Sequence, residues 1–205
     1  MPIDNLWQNL AASLERDEAV SLIDSFPLPV CRFARAARCR RLRSVSAYGF
    51  DEMAKQTFFG VRFHLRVALP GVITAFEIEP ANVHELTVAE ELLANVCGWA
   101  IGDRNYYSPR LGAHLAARGL RLLAPFRSRK RERKPFPFRL TCLRRRIETV
   151  IGQLTERFHA KRVWARDAWH FCSRLLRKIL AHTLFVGLCQ QHDVRPLRRA
   201  ALLNK

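Results

Sequence analysis

The stretch 57-TFFGVRFHLRVALPGVITAFEIEP-80 decides the fold. Phe59, Val61, Phe63, Leu65, Val67 and Leu69 alternate with Gly60, Arg62, His64, Arg66 and Ala68, the two-residue period of a half-buried strand. Pro70 and Gly71 mark a turn, and the apolar run behind them returns as a second strand. The segment therefore predicts a β-hairpin.

Working outward towards the N-terminus, Ala19 to Ile23 is apolar and strand-like, and Pro27 and Pro29 are expected to end regular pairing. Leu6, Trp7, Leu10 and Leu14 fall at helical spacing, which predicts a short amphipathic helix over residues 5–18. Towards the C-terminus, Asn82 or His84 is placed to cap a helix over Val83 to Val96. A compact strand, "GWAIGDRNYYS", follows, then a helix over Arg110 to Arg118 and a short strand in "GLRLLAPF". Ile147, Val150, Ile151, Leu154 and Phe158 form the clearest helical stripe in the chain, and a second long helix is expected over Asp167 to Cys189. A hairpin followed by strand–helix alternation points to an α/β (mixed α+β) domain, a mixed central sheet flanked by helices.

The chain has 205 residues, long enough for one sizeable core. Thirty-five Lys and Arg against 18 Asp and Glu give a formal charge of +17, which favours a polyanionic partner, nucleic acid first, over an acidic metabolite. Arg32 to Arg43 holds six arginines and no acid, and Arg127 to Arg146 holds ten Lys or Arg and one Glu around Pro135 and Pro137. Both segments are expected at the surface or against phosphate. No apolar run is long enough to span a membrane, and the acids among the first twenty residues argue against a targeting peptide. A soluble, intracellular protein is expected. The six cysteines include no Cys-x-x-Cys pair, so zinc has little support and reduced, mostly buried thiols are expected.

Two carboxylates stand out. Asp24 and Asp103 each end an otherwise apolar strand, and a third acid, Glu148, borders the apolar stripe of the strongest helix. The lean of helix side chains towards the N-terminus carries Glu148 over the turn of Arg144 and Arg145, where it is expected to face a crevice. The three acids lie 79 and 45 residues apart, so only the fold could gather them. Clustered carboxylates repel one another unless a divalent cation supplies the missing charge, and Mg²⁺ prefers a few carboxylates plus water and phosphate. Two such ions about 3.5–4 Å apart suit in-line phosphoryl displacement. Each acid taken singly also reads as an exposed carboxylate, a helix cap or an arginine's partner.

In order along the chain, "LIDSFPLPVC", "AYGF…KQTFFGVRFHLRV", "IGDRNYYS" and "RRRIETVIGQLTERF" resemble the catalytic domain of bacterial insertion-sequence transposases of the Asp-Asp-Glu type, with a ribonuclease-H-like fold. The resemblance covers about Ala19 to Gln190. It implies that Asp24, Asp103 and Glu148 are the catalytic acids and bind two Mg²⁺ ions, Mn²⁺ being an alternative, to cut DNA and join it to a target. It also implies that Tyr48, Gly49 and the strand around His64 belong to the core sheet beside the first acid. Transposon ends and target DNA would be the partners, with the chain a homo-oligomer on DNA in the bacterial cytoplasm at the nucleoid. Arg144 stands four residues before Glu148, where related groups place an arginine on the terminal DNA phosphate, whereas Thr141 and Thr155 replace the tyrosine and lysine of that pattern. Only 23 residues precede Asp24, fewer than the helical DNA-binding region that family members carry there. The expected division is a helical remnant over 1–18, a catalytic domain over 19–190 and a basic tail over 191–205.

Phosphate contact is expected of Arg144 and Arg145 and of the basic run Arg127, Arg129, Lys130, Arg131, Arg133 and Lys134. His64 is read as a sheet-packing or solvent-facing side chain rather than a ligand. Trp99, Tyr106 and Tyr107 are read as core aromatics before base-stacking ones, and Trp164 and Trp169 as core or interface residues. A strand-transfer enzyme leads, with a non-catalytic DNA-binding module and a nuclease of the same fold as alternatives.

Overall fold

The computed structural model describes residues 2–126, 135–195 and 197. Helix α1 (Pro2–Ser13) leads into strand β1 (Asp17–Pro29), then β2 (Ala47–Asp51), β3 (Gln56–Leu69) and β4 (Val72–Pro80). Helix α2 (Glu85–Leu92), strand β5 (Gly98–Ile101), helix α3 (Pro109–Ala116) and strand β6 (Leu120–Leu123) follow. The chain then forms α4 (Phe138–Gly152), widened at its end by a π-helical turn, Gln153–Arg157, and the long α5 (Ala168–Gln191).

The six strands form one mixed sheet in the order β2-β3-β1-β5-β6, with β4 also paired to β3. As the alternation of apolar residues predicts, β3 and β4 are an antiparallel hairpin. β5 lies parallel to β1 and to β6. This is the ribonuclease-H-like arrangement, a mixed central sheet between helices.

β1 differs from its sequence reading, because it runs straight through both prolines: Pro27 pairs with Arg62 and Pro29 with Gly60 of β3. The backbone N–H of Val30 donates to the Phe59 carbonyl at 3.0 Å, so by the alternation of a strand the residues at 26 and 28 also face β3. The nitrogens of Pro27 and Pro29 face the opposite edge, which β5 leaves open beyond Leu22. No ladder hydrogen bond is lost, and proline is tolerated there.

The sheet separates two cores. Leu22, Phe26 and Leu28 of β1 with Val61, Phe63, Leu65 and Val67 of β3 meet Ile147, Val150 and Leu154 and, from α5, Leu175, Leu176 and Ile179. Ile23, on the other face, packs with Ala89 and Leu92 of α2, with Ala100, and with Tyr106, Leu115 and Leu120. The N-terminal helix ends at Ser13, short of the residue 18 expected, because Asp17 and Glu18 already belong to β1. Its Trp7 is buried against Phe76, ring centroids 5.3 Å apart. Residues 1–18 thus include part of the same packed core.

All six cysteines are unpaired, with Cys189 buried and Cys97 exposed. Burial is thus less complete than the sequence suggests. His64 is fully buried in the sheet with no hydrogen bond to either ring nitrogen, and burial lowers its pKa to about 4. Trp164 and Trp169 are exposed rather than core residues. Among the described residues, no helix is long and apolar enough to cross a membrane.

Candidate active site

The parallel register places the two aspartates together. Val20, Ser21 and Leu22 of β1 lie beside Trp99, Ala100 and Ile101 of β5. Each β5 partner is 79 positions further along the chain, and so is Asp103 from Asp24. Two residues past the last pair, Asp24 within β1 and Asp103 just beyond the end of β5 therefore fall on neighbouring stretches of chain, paired strands lying about 4.8 Å apart, and the charge of Asp103 acts on Asp24.

Asp24 shares its face of β1 with Leu22 and Phe26 and is the one acid in that apolar row. Its Oδ1 accepts from the Ser25 backbone N–H at 2.8 Å. Burial raises its pKa to about 7; the charges of Asp103 and Glu85 add to the rise, while the Ser25 N–H and Arg144 oppose it. Asp103 caps the short 3-10 turn Arg104–Tyr106, accepting from the Asn105 N–H at 2.8 Å. Its pKa is raised too, by burial first and then by Glu85, against the Asn105 and Tyr106 N–H groups and Arg144.

Glu148 lies on α4. Ile147 is fully buried against the sheet, and the next residue lies about 100° further round the helix, at the edge of the face. Glu148 is 47% exposed and bonds Arg144 Nη2 at 2.9 Å. The lean towards Arg144 is the one the sequence predicts; the enclosed crevice is not found. Among the described residues, no three His, Cys, Asp or Glu together take metal-holding positions. Arg144, in contrast, acts on both aspartates. Arg145 is exposed on the same helix. Arg127, Arg129, Lys130, Arg131, Arg133 and Lys134 lie outside the described residues.

The sequence reading missed Glu85. The first residue of α2, it is only 8% exposed, accepts from Ser25 Oγ at 2.6 Å and pairs with Arg62 Nη1 at 3.2 Å. An acid in the first turn of a helix reads as ordinary end-charge complementarity. Only the hairpin brings Arg62 to it. His84 does cap this helix, its Nδ1 accepting from the Leu86 N–H at 3.1 Å.

The donor set of Asp24 and Asp103 is all oxygen and short of positive charge. That chemistry fits a hard divalent cation such as Mg²⁺ or Mn²⁺ at Asp24 and Asp103; Glu148 lies on the helix whose Arg144 acts on both aspartates.

An acid within β1 and another just past the end of β5 act on each other on a ribonuclease-H-like sheet, against which α4 packs. Residues 15–164, well over half the chain, match the family model described as the transposase DDE domain, and the chain belongs to that family. The cryo-EM structure of the piggyBac transposase synaptic complex with hairpin DNA is similar in fold, with a TM-score of 0.55 at 10% identity. The superposition covers 94% of this chain and 52% of that one, so the chain spans about half the length of that transposase. No curated protein matches the sequence.

Proposed function

We propose that this chain carries out the strand cleavage and strand transfer of an insertion-sequence transposase, with Asp24, Asp103 and Glu148 holding Mg²⁺ or Mn²⁺. One observation supports this most: the β1–β5 register, which ends two residues before each aspartate, brings Asp24 and Asp103 within reach of each other's charge, on a stretch of β1 whose neighbours on that face are apolar. The chemistry that a divalent pair supplies there is activation of an attacking oxygen and stabilisation of a leaving oxygen on a phosphodiester.

The residues of the chain do the rest. Asp24 and Asp103 fix the cation position, and Glu148 completes the ligand set after exchanging Arg144 for it. Arg144, so released, takes a DNA phosphate, and Arg145 reaches the same backbone. All six arginines between Arg32 and Arg43 are exposed and hold the duplex by charge, as does the basic run over 127–134. The partners are transposon ends and target DNA, and the chain acts as a homo-oligomer on them at the nucleoid.

The test is Asp103→Asn in a cleavage and strand-transfer assay with labelled duplexes. Loss of about 10³-fold or more in Mg²⁺-dependent cutting is expected, about 4 kcal/mol of transition-state stabilisation, with salt-sensitive DNA binding retained. Undiminished cutting would show that the residues are wrongly assigned. The Arg144–Glu148 ion pair favours a second reading, a DNA-holding domain without catalysis; binding without cutting by the unaltered chain would select it. Cut but unjoined products would select a nuclease.

A further inference from the structure

Resting on the cation site proposed above, we infer that Glu85, clamped by Arg62 and Ser25, is a positioning residue of that site: its fixed negative charge strengthens divalent-cation binding at Asp24 and Asp103 from the side of β1 opposite α4.

The clamp leaves the carboxylate little freedom. Glu85 Oε1 accepts from Ser25 Oγ at 2.6 Å and from Arg62 Nη1 at 3.2 Å, and the same Arg62 nitrogen reaches Ser25 Oγ at 3.3 Å. Arg62 is itself anchored through Nη2 to the Phe50 carbonyl at 3.1 Å. Ser25 directly follows Asp24, so the clamp is tied to the strand that carries the first aspartate.

Ser25 and Asp24 point to opposite faces of β1. The two faces nonetheless communicate here, because β5 stops at Ile101 and, among the described residues, no strand pairs with that edge of β1 beyond Leu22. Asp103 lies in that gap. Ser25 bridges the two acids, its N–H donating to Asp24 Oδ1 at 2.8 Å and its Oγ to Glu85 Oε1 at 2.6 Å, and the charge of Glu85 accordingly acts on Asp24 and Asp103.

A second feature points the same way. Tyr106 is fully buried, its hydroxyl has no hydrogen-bond partner, and the charges acting on it are those of Glu85, Asp24 and Asp103, opposed by Arg62. Its ring is fixed under Gly102, where an added Cβ would stand 2.8 Å from the ring. A buried hydroxyl without a partner is uncommon, and the charges of three carboxylates act on this one. Against their three negative charges stand Arg62 and Arg144, and Arg144 is shared with Glu148. The balance is negative, and a divalent cation closes it.

Glu85 need not touch the ion to do this. Across several ångströms of protein interior a fixed charge alters divalent affinity by about tenfold. The test is calorimetric titration of Mn²⁺ into the whole chain at pH 8, with thermal melts to establish folding. Asp103→Asn is expected to abolish binding at the site, Glu85→Gln to weaken it about tenfold, and Arg62→Gln, which removes the opposing charge, to tighten it. A purely structural role for Glu85 would lower the folded fraction and leave the affinity of folded molecules unmoved. If Asp103→Asn abolishes binding while Glu85→Gln leaves it unchanged, the inference is overturned and the cation site stands. If Asp103→Asn has no effect, the site itself is wrongly placed. Should Glu85→Gln fail to fold, Arg62→Gln decides by sign: tighter binding supports the inference, and unchanged or weaker binding overturns it.

Discussion

The two faces of the sheet are built from the same strands by different means. On the face towards α4 and α5, β1 and β3 present Leu22, Phe26, Leu28, Val61, Phe63, Leu65 and Val67, all buried, with Asp24 as the interruption. On the face towards α2, the same strands present Ile23 and Ser25 opposite Arg66 and His64, with Arg62 opposite Pro27. The first face is held by apolar burial; the second is a network in which Arg66 donates to Thr74 and to the Leu92 carbonyl, and Arg62 to Glu85. A carboxylate on the second face has partners waiting. On the first it has only the Ser25 backbone N–H from the sheet, and its presence there costs stability that a cation or a catalytic role must justify.

The comparison is sharpened most by Asp24→Asn. Cation-dependent cutting should fall about 10³-fold or more, while the cation-free chain becomes more stable. The folded-state pKa of Asp24, about 7, lies above its ordinary 3.8. Folding therefore takes up a proton between those values, and wild-type stability falls as pH rises from about 4 to about 7. The gain from Asp24→Asn should be absent below pH 4 and complete above pH 7, of the order of 2 kcal/mol after allowance for the carboxyl's partial access to water. Chemical denaturation at pH 4 and pH 8 measures it, and equal effects at the two pH values would break the contrast between faces.

The second face should show the opposite sign with a somewhat smaller effect. His64, held near pKa 4 by burial and by Arg62, stays neutral in the folded chain while the unfolded chain takes up its proton below about 6.5. Stability contributed by the neutral ring is therefore complete above that value and is lost as pH falls towards 4. His64→Leu should remove this loss, by about 1–2 kcal/mol at pH 5, and change little at pH 8. A His64→Leu chain that weakens with acid as steeply as the wild type would show that the ring is reached by water.

Much of this contrast could be read from the residues alone. The hairpin was legible because six apolar residues alternate without a break from Phe59 to Leu69, and Asp24 and Asp103 were legible because each stands alone at the end of an apolar run. The passage of β1 through Pro27 and Pro29 was not, since it depends on which edge β5 leaves open. Glu85 was hidden for the same kind of reason: its burial comes from Arg62, 23 residues away across the hairpin. The half-exposed state of Glu148 reflects a helix edge, where one residue of rotation separates core from solvent.

The most direct measurement is anomalous diffraction from crystals of the chain grown with Mn²⁺. The account predicts a peak shared by the carboxylates of Asp24 and Asp103, with Glu148 drawn from Arg144 towards it. A fully occupied ion elsewhere, with no peak between the two aspartates, would contradict it.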